Sequence, residues 1–253
     1  MSREPGYDLE QMLRRLHLPT VRRLHAPLSE QAEKESWTFR EYLEQLFSEE
    51  IAHRAETRIT RSTRKAKFPF LKTIDEFDFT FQQSVKKKAL GRFFGPELVE
   101  DGRSLILLGK PGRGKTHLAI SMAYKAIQNG YDALFTTAAR LLNRLHRAAD
   151  AGDLEEELSS YVEPHVLVVD ELGYLSYGRD AANLLFQVVD QRYLKRRPML
   201  FTSNKEPGEW GAVLHDADLA EAIVDRVLER GELLRLQGKS YRNPNNGRGG
   251  GEK

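Results

Sequence analysis

The residues with the clearest chemistry in this sequence form a glycine-rich stretch, Gly109-Lys110-Pro111-Gly112-Arg113-Gly114-Lys115-Thr116. Its glycines have the spacing of a phosphate-binding loop, in which backbone N–H groups converge on phosphate oxygens without side-chain clashes. Lys115 can reach the terminal phosphates of a nucleotide, and the Thr116 hydroxyl can ligate Mg²⁺. We therefore predict that residues 109–116 bind ATP together with Mg²⁺.

An acidic pair after an apolar run supplies the second part of the predicted site. Val166–Val169 has the continuous apolar character of a buried strand, and Asp170 and Glu171 follow it directly. In a parallel sheet this pair would lie at the same edge as the phosphate-binding loop. We predict that Asp170 holds Mg²⁺ with Thr116 and that Glu171 orients or deprotonates the attacking water. The pattern favours hydrolysis over binding alone.

The surrounding segments predict the elements that position these residues. Five short apolar runs resemble buried parallel strands. They are Ser104–Leu108, Ala133–Thr137, Val166–Val169, Met199–Thr202 and Leu233–Leu236. Helices are predicted between them, one from Thr116 to a stop at Asn129-Gly130 and another over Asp180–Arg196. Strands that alternate with helices indicate an α/β fold with a parallel sheet flanked by helices.

The N-terminal region, Tyr7–Lys67, has helical spacing. Thr38 and Glu41 form a capping box that predicts the start of one long helix, because each side chain satisfies the other residue's backbone donor. An apolar stripe follows at Phe39, Leu43, Leu46 and Ile51. Pro19 and Pro27 interrupt the preceding sequence, so we predict several short helices before the long one.

The patterns divide the chain into four regions. We predict a small helical domain over residues 1–67 and an α/β core over residues 99–243. Residues 68–98 form a linker with alternating aromatic and polar residues, followed by a predicted helix from Gln83 to Phe94. The composition of residues 244–253, rich in glycine and polar residues, predicts a disordered tail.

The composition excludes several classes of protein. The 253 residues contain no cysteine, which excludes disulfides and thiolate metal sites, and the seven histidines show no metal-binding spacing. No apolar run approaches the ~18 residues that span a bilayer, and no secretory signal is visible. We expect a cytoplasmic protein without a membrane partner. The formal net charge of +2 means that polyanion binding depends on local patches.

Three clusters of basic residues are candidate DNA contacts. They are Arg54, Arg58, Arg61, Arg64, Lys65 and Lys67 near the end of the long helix, then Lys86, Lys87 and Lys88, then Arg140, Arg144 and Arg147. Several of them recur at helical spacing, so they share a face. A solubilising surface explains any single cluster equally well. No helix-turn-helix, zinc-finger or stacking pattern is evident, so we predict backbone contacts to duplex DNA.

Several longer stretches resemble the IstB-type transposition helper ATPases, a branch of the AAA+ P-loop NTPases close to the DnaC-type helicase loaders. The resemblance covers nearly the whole chain. It rests on Phe68-Pro69-Phe70-Leu71-Lys72-Thr73, Phe77-Asp78-Phe79, Gly114-Lys115-Thr116-His117-Leu118-Ala119, Val169-Asp170-Glu171-Leu172-Gly173-Tyr174, Thr202-Ser203-Asn204 and Gln237-Gly238-Lys239-Ser240-Tyr241-Arg242. Lys110 and Arg113 depart from the usual loop at positions that face outward in the family.

The resemblance implies further roles for individual residues. Asn204 resembles the sensor residue that contacts the attacking water, and Arg226 resembles the arginine finger that acts on a neighbouring subunit's nucleotide. The alternatives are a strand-end turn for Asn204 and, for Arg226, a surface ion pair with Glu221 or Glu229. His117 and Arg242 join the implied nucleotide-binding residues. Only eleven residues follow Arg242, so we expect no full C-terminal lid.

The resemblance also implies a function. It implies a homo-oligomeric ring or spiral that assembles on double-stranded DNA in its ATP-bound state. Such a protein assists the transposase encoded by the same mobile element in selecting target DNA. The alternatives are a DnaC-type loader of a replicative helicase, a small-molecule P-loop kinase and a passive DNA clamp that uses ATP only structurally.

Overall fold

The computed structural model describes residues 8–174 and 177–242. The chain divides into two compact units, Met1–Arg61 and Ser62–Lys253, so the predicted linker residues group with the α/β core. The tail predicted to be disordered, residues 244–253, lies outside the described residues.

The first unit contains α1 (Leu9–Arg15), α2 (Pro19–Glu35) and most of α3 (Phe39–Lys65). The capping box at the start of α3 is confirmed, since the Thr38 N–H donates to Glu41 Oε2 at 2.7 Å and the Glu41 N–H donates to Thr38 Oγ1 at 3.2 Å. The prediction for Pro27 is wrong, because α2 continues through it. Leu24 and Leu28 pack against the small core on either side of Pro27, which stabilises the helix despite the missing donor.

A buried carboxylate holds the start of α2. Glu50 of α3 is 3% exposed and accepts the N–H groups of Thr20 at 2.8 Å and Val21 at 3.2 Å. Arg54 Nε donates to the same side chain at 2.7 Å. Burial raises the pKa of Glu50, but the bonds from Arg54 and the two backbone groups outweigh that effect and the pKa is lowered. The apolar stripe of α3 is divided: Leu46 is buried, whereas Phe39 is 92% exposed.

The linker segment contains less helix than predicted. The helix predicted over Gln83–Phe94 is wrong: α4 spans only Lys87–Leu90, and a 3₁₀ turn covers Gly91–Phe93. Lys86, directly before α4, has extended backbone angles of φ −92° and ψ 131°, so no helix runs through it. Just upstream, Ser84 Oγ donates to Gln82 Oε1 at 2.7 Å and accepts the N–H of Gln237 at 2.9 Å. A further short helix, α5, spans Glu97–Glu100.

Five parallel strands form the sheet in the order β2-β3-β4-β1-β5. They are β1 (Ser104–Leu108), β2 (Ala133–Thr137), β3 (Val166–Leu172), β4 (Met199–Ser203) and β5 (Gly231–Arg235). The predicted bounds of β1 and β2 are confirmed, and those of β4 and β5 differ by one or two residues. Every residue of β1 and β4 is buried, so both faces of these strands are covered. This is why their sequences show no alternation of apolar and polar residues.

Helices flank the sheet. They are α6 (Lys115–Gln128), α7 (Ala138–Ala151), α8 (Leu154–Val162), α9 (Ala181–Leu194), α10 (Trp210–Leu214) and α11 (Ala217–Glu229). The predicted stop of α6 at Asn129-Gly130 is confirmed. Between β5 and Arg242 the described chain has no helix. None of the helices in the described ranges is both long and apolar enough to cross a membrane.

The strand β3 continues three residues beyond its predicted end at Val169. Its register with β4 shifts between Val169 and Leu172, so Asp170 and Glu171 lie in a bulge rather than in a turn after the strand. Glu171 has a φ of 62°, in the left-handed region that non-glycine residues rarely adopt. The bulge separates the environments of the two acids: Asp170 is buried and Glu171 is exposed.

Candidate nucleotide-binding site

The phosphate-binding loop runs from the end of β1 to the first residue of α6. Gly112 and Gly114 have φ angles of 76° and 88°, in the left-handed region that favours glycine. A Cβ on Gly114 would lie 2.6 Å from the ring of Phe77, so the loop is also tightly packed on its outer side. Residues 111–117 line a cavity of about 300 Å³ at the N-terminus of α6, where the helix dipole favours an anion.

Lys115 is 5% exposed and lines this cavity. Its Nζ donates to the carbonyls of Gly109 at 2.6 Å and Lys110 at 3.1 Å, and it lies 3.5 Å from the hydroxyl of Tyr174. Burial lowers the pKa of Lys115 to about 8, against the opposing effect of the Asp170 carboxylate. An added negative charge such as a phosphate would favour the protonated form.

A hydrogen-bond chain joins the loop to the two acids. Thr116 Oγ1 donates to Asp170 Oδ1 at 2.8 Å, and Thr202 Oγ1 donates to the same oxygen at 2.5 Å. The N–H of Glu171 donates to Thr202 Oγ1 at 3.0 Å. The strand order explains this arrangement, because β4 lies between β1 and β3 and therefore places Thr202 between the loop and the acidic pair.

The oxygens of Thr116 and Asp170 suit the predicted Mg²⁺. They are hard donors and lie 2.8 Å apart beside Lys115. Across residues 8–174 and 177–242, no group of three or more His, Cys, Asp or Glu side chains could hold a metal by itself. The donor set therefore fits an ion that takes few ligands from the protein and the others from phosphate and water.

Two segments hold the phosphate-binding loop in place, and sequence analysis assigned neither this role. On one side, Gln82 Nε2 donates to the Arg113 carbonyl at 3.1 Å. On the other, the Tyr241 N–H donates to the Gly112 carbonyl at 2.8 Å. The expectation that Arg113 faces outward is wrong, because its guanidinium donates to the Leu236 carbonyl at 3.0 Å. The alternating aromatic residues of the linker were a partial sign of this role, because the ring centre of Phe77 lies 5.9 Å from that of Tyr241.

His117 and Arg242 both line the nucleotide cavity, as the family resemblance implied. His117 Nε2 lies 2.8 Å from the Thr73 carbonyl, and its ring packs 5.2 Å from that of Phe77. Arg242 is exposed at the cavity beside Lys115 and is the last residue that the structure describes. His117 therefore also anchors the linker to α6.

Asn204 and Arg226 lie outside the cavity. The Asn204 Oδ1 is buried without a hydrogen-bond partner in the part of the chain that the structure describes. Thr202, two residues earlier, makes the contact with the acidic pair instead. Arg226 Nε donates to Asp190 Oδ1 at 2.8 Å, and its guanidinium lies 4.5 Å from the centre of the Phe186 ring. The sequence had suggested Glu221 or Glu229 as the ion-pair partner of Arg226, whereas the partner in the structure is Asp190.

The family model for the IstB-like ATP binding protein matches residues 11–248. The chain belongs to this IstB-like family. It is 40% identical over 228 residues to the ATP-binding protein of insertion sequence IS5376 from Geobacillus stearothermophilus, covering 90% of each chain. It is 36% identical to the corresponding protein of insertion sequence IS21 from Pseudomonas aeruginosa, covering 93% of this chain and 89% of the relative.

Solved structures confirm the AAA+ fold of this IstB-like protein. DnaI superposes with a TM-score of 0.55 and 20% identity, over 66% of this chain and 91% of DnaI. The DnaC helicase loader superposes with a TM-score of 0.51 and 22% identity, over 68% of this chain and 97% of the loader. DnaA from Aquifex aeolicus, bound to AMPPCP, has a TM-score of 0.52 and covers 65% of this chain. At these identities the comparison concerns the fold alone.

The candidate DNA contacts of the IstB-like protein have unequal surroundings. In the first unit, Arg54 is paired with the buried Glu50, so it supports the fold of that unit. In the second unit, Lys87 lies 4.0 Å from Asp75 and Arg144 lies 2.9 Å from Glu157. The remaining candidates in the second unit are exposed: Arg64, Lys65, Lys67, Lys86, Lys88, Arg140 and Arg147. Arg61 is exposed and Arg58 half-buried on α3.

Proposed function

We propose that this IstB-like protein hydrolyses ATP and uses the nucleotide state to control its binding to duplex DNA, as the helper of a transposase. The observation that carries the hydrolytic step is the position of Glu171. The bulge in β3 and the bond from its N–H to Thr202 hold its carboxylate free at the cavity that contains Lys115. A protein that only bound ATP would need no exposed carboxylate there.

The described residues would divide the work as follows. Backbone N–H groups of residues 112–116 and the Lys115 ammonium would bind the phosphates, and Lys115 would exchange its bonds to Gly109 and Lys110 for phosphate oxygens. Thr116 and Asp170 would hold Mg²⁺, which neutralises phosphate charge when bound. Glu171 would accept a proton from the attacking water or orient it.

The choice of client rests on the relatives. Proteins 40% and 36% identical to this chain carry names that assign them to insertion sequences, which supports a transposase as the partner. The likeness to the DnaC helicase loader concerns the fold and gives that alternative no separate support. We assign the cutting and joining of DNA to the transposase and the nucleotide-controlled engagement of target DNA to this protein.

The proposal includes a homo-oligomer in which Arg226 acts on a neighbouring subunit. Arg226 does not line the nucleotide cavity of its own chain, and Asp190 and Phe186 hold it on the surface formed by α9 and α11. An arginine held in this way is preorganised to stabilise transition-state charge when a second subunit docks against that surface.

Replacing Glu171 tests the catalytic part of the proposal. We expect Glu171→Gln to bind a fluorescent ATP analogue as wild type does, while ATP turnover falls on the order of a hundredfold, the lower range for losing a general base. The matched control is Glu155→Gln, an exposed glutamate in the first turn of α8. Turnover at the wild-type rate in Glu171→Gln would instead support the passive clamp.

Sedimentation with DNA tests assembly and client together. We expect large complexes with duplex DNA and a non-hydrolysable ATP analogue, and their loss with ADP. Assembly on single-stranded DNA, or assembly that requires a replicative helicase, would favour the loader. Retention of a transposase on the duplex-bound protein would support the proposed partner.

A further inference from the structure

A second cavity, of about 430 Å³, lies at the β2 edge of the sheet in the second unit. The residues that line it include Lys65, Lys67 and Arg140. Sequence analysis placed these residues in two separate clusters, more than seventy positions apart. The fold brings the clusters together around one opening.

Local structure explains how the two clusters meet. The Phe135 N–H of β2 donates to the Ala66 carbonyl at 2.8 Å, so the chain segment carrying Lys65 and Lys67 follows the outer edge of the sheet. Ser62 Oγ donates to Asp132 Oδ1 at 2.8 Å and anchors the same segment one turn earlier. Arg140 enters from the first turn of α7, which begins directly after β2.

The charges around the cavity are not balanced. Of its acidic residues, Glu163 is paired with Lys195 at 2.6 Å and with Arg197 at 3.2 Å, and Asp132 accepts the bond from Ser62. Within residues 8–174 and 177–242, Lys65, Lys67 and Arg140 form no ion pair with an acidic side chain. The bond from the neutral Ser62 hydroxyl leaves the charge of Asp132 in place, so among the described residues three cations without an ion pair face one carboxylate without an ion pair, and the opening keeps an excess of positive charge.

The hydroxyl groups of Ser160 and Tyr161 add polar surface to the cavity. Burial, together with the neighbouring Glu157 carboxylate, raises the pKa of Tyr161 to about 12. The aromatic rings at the cavity, Phe135 and Tyr161, are only 6% and 3% exposed. They offer no surface on which an unpaired base could stack, which disfavours single-stranded nucleic acid.

We propose that this cavity binds phosphate groups of the backbone of duplex DNA through Lys65, Lys67 and Arg140. The inference rests on the DNA-binding part of the proposed function and gives it a location. Two point-like ammonium groups and one planar guanidinium suit the several oxygens of adjacent phosphates. These contacts position the protein on DNA without reading its sequence.

The test compares two triple variants that remove the same charge. The cavity variant is Lys65→Gln, Lys67→Gln and Arg140→Gln; the control is Lys86→Gln, Lys87→Gln and Lys88→Gln, whose residues lie outside the cavity. Affinity for a fluorescent duplex is measured by anisotropy over a salt series, with a non-hydrolysable ATP analogue present. Binding of a fluorescent ATP analogue shows that each variant is folded.

We expect the cavity variant to bind the duplex at least about tenfold more weakly than wild type. The slope of log K against log salt should become less steep by about 0.9 for each phosphate that the variant no longer neutralises. The control variant should change affinity less than the cavity variant and keep the wild-type slope more closely.

The failures are distinguishable. If wild type binds no duplex in any nucleotide state, the DNA-binding part of the proposed function is wrong. If wild type binds duplex and the folded cavity variant matches it in affinity and slope, only the cavity assignment is wrong. If wild type binds an acidic peptide but not duplex, and the cavity variant does not bind that peptide, the site belongs to a protein partner and the inference is overturned.

Discussion

Thr202 is a single hydroxyl on which both acids of the nucleotide site depend. It donates to Asp170 at 2.5 Å and accepts the N–H of Glu171 at 3.0 Å, and it is 1% exposed. The bond to Glu171 matters because that residue has a φ of 62°, a conformation that costs energy and persists only where neighbouring groups hold it. Thr202 is therefore a positioning residue for the proposed base.

We expect Thr202→Val to reduce ATP turnover about tenfold or more while ATP binding changes little. The substitution keeps the shape of the side chain and leaves a buried N–H and a carboxylate with one partner fewer. Thr202→Ser should restore most of the turnover. The matched control is Thr136→Val, a buried threonine on β2 outside the nucleotide cavity. Equal turnover in the valine and serine variants of Thr202 would show that the hydroxyl has no positioning role.

The pKa of Lys115 predicts how ATP affinity depends on pH. Burial lowers this pKa from 10.5 to about 8 without nucleotide, and bound phosphate stabilises the charged form. Above about pH 8 binding must therefore take up a proton, so affinity should fall as the pH rises further above that value. Titration calorimetry in two buffers of different ionisation enthalpy measures the uptake. Lys115→Arg should remove it, and a wild-type affinity independent of pH would contradict the prediction.

Sequence reasoning found the residues with common motifs and missed those without them. Lys115 and Thr116 are recognisable from the spacing of the phosphate-binding loop, and Asp170 and Glu171 from the apolar run directly before them. Thr202 belongs to no such motif. Its role depends on β4 lying between β1 and β3, and this strand order cannot be predicted from the local sequence.

At the scale of elements, α9 carries a buried arginine that connects it to the loops before β3 and β4. Arg192 is fully buried, and burial lowers its pKa. Its guanidinium donates to the carbonyls of Tyr161, Val162, Pro164, His165 and Pro198. No helical pattern predicts this role, because the arginine occupies a position where an apolar residue would be expected.

We expect Arg192→Met to lower the free energy of unfolding by about 3 kcal/mol or more, because several buried carbonyls are left without their donors at once. Arg192→Lys should recover only part of this loss, since an ammonium lacks the planar arrangement of five donors. Urea denaturation measures the effect, with Arg147→Met on the exposed surface of α7 as the control. A change below about 1 kcal/mol would show that water replaces the donors.

The strands were predictable because buried parallel strands are short apolar runs between helices. The failed helix over Gln83–Phe94 has a different cause. Gln82 and Ser84, on either side of its predicted start, bond to the phosphate-binding loop and to Gln237, and these contacts distant in sequence outweigh local helical preference. The bulge in β3 was also hidden, because Asp170 and Glu171 have the composition of a turn.

At the scale of the whole molecule, mixing of variants tests whether Arg226 acts between subunits. Arg226→Ala and Glu171→Gln should each be inactive alone in the presence of duplex DNA. In a mixture, a subunit with intact Glu171 can meet a neighbour with intact Arg226, so part of the turnover should return. ATP hydrolysis at several mixing ratios measures this recovery. If no ratio exceeds the sum of the two single variants, Arg226 does not act in trans.

The bonds made by residues 231–242 have a consequence for biosynthesis. Synthesis proceeds from the N-terminus, so β1 and the phosphate-binding loop leave the ribosome before β5 and Tyr241. Until then β1 has β4 as a partner on one side only and forms the edge of the sheet, and the loop lacks the bonds to its Gly112 carbonyl and to the Leu236 carbonyl. The nascent chain should therefore acquire its nucleotide site only after residues 231–242 have left the ribosome, and a chaperone that covers exposed strand edges would protect it until that moment.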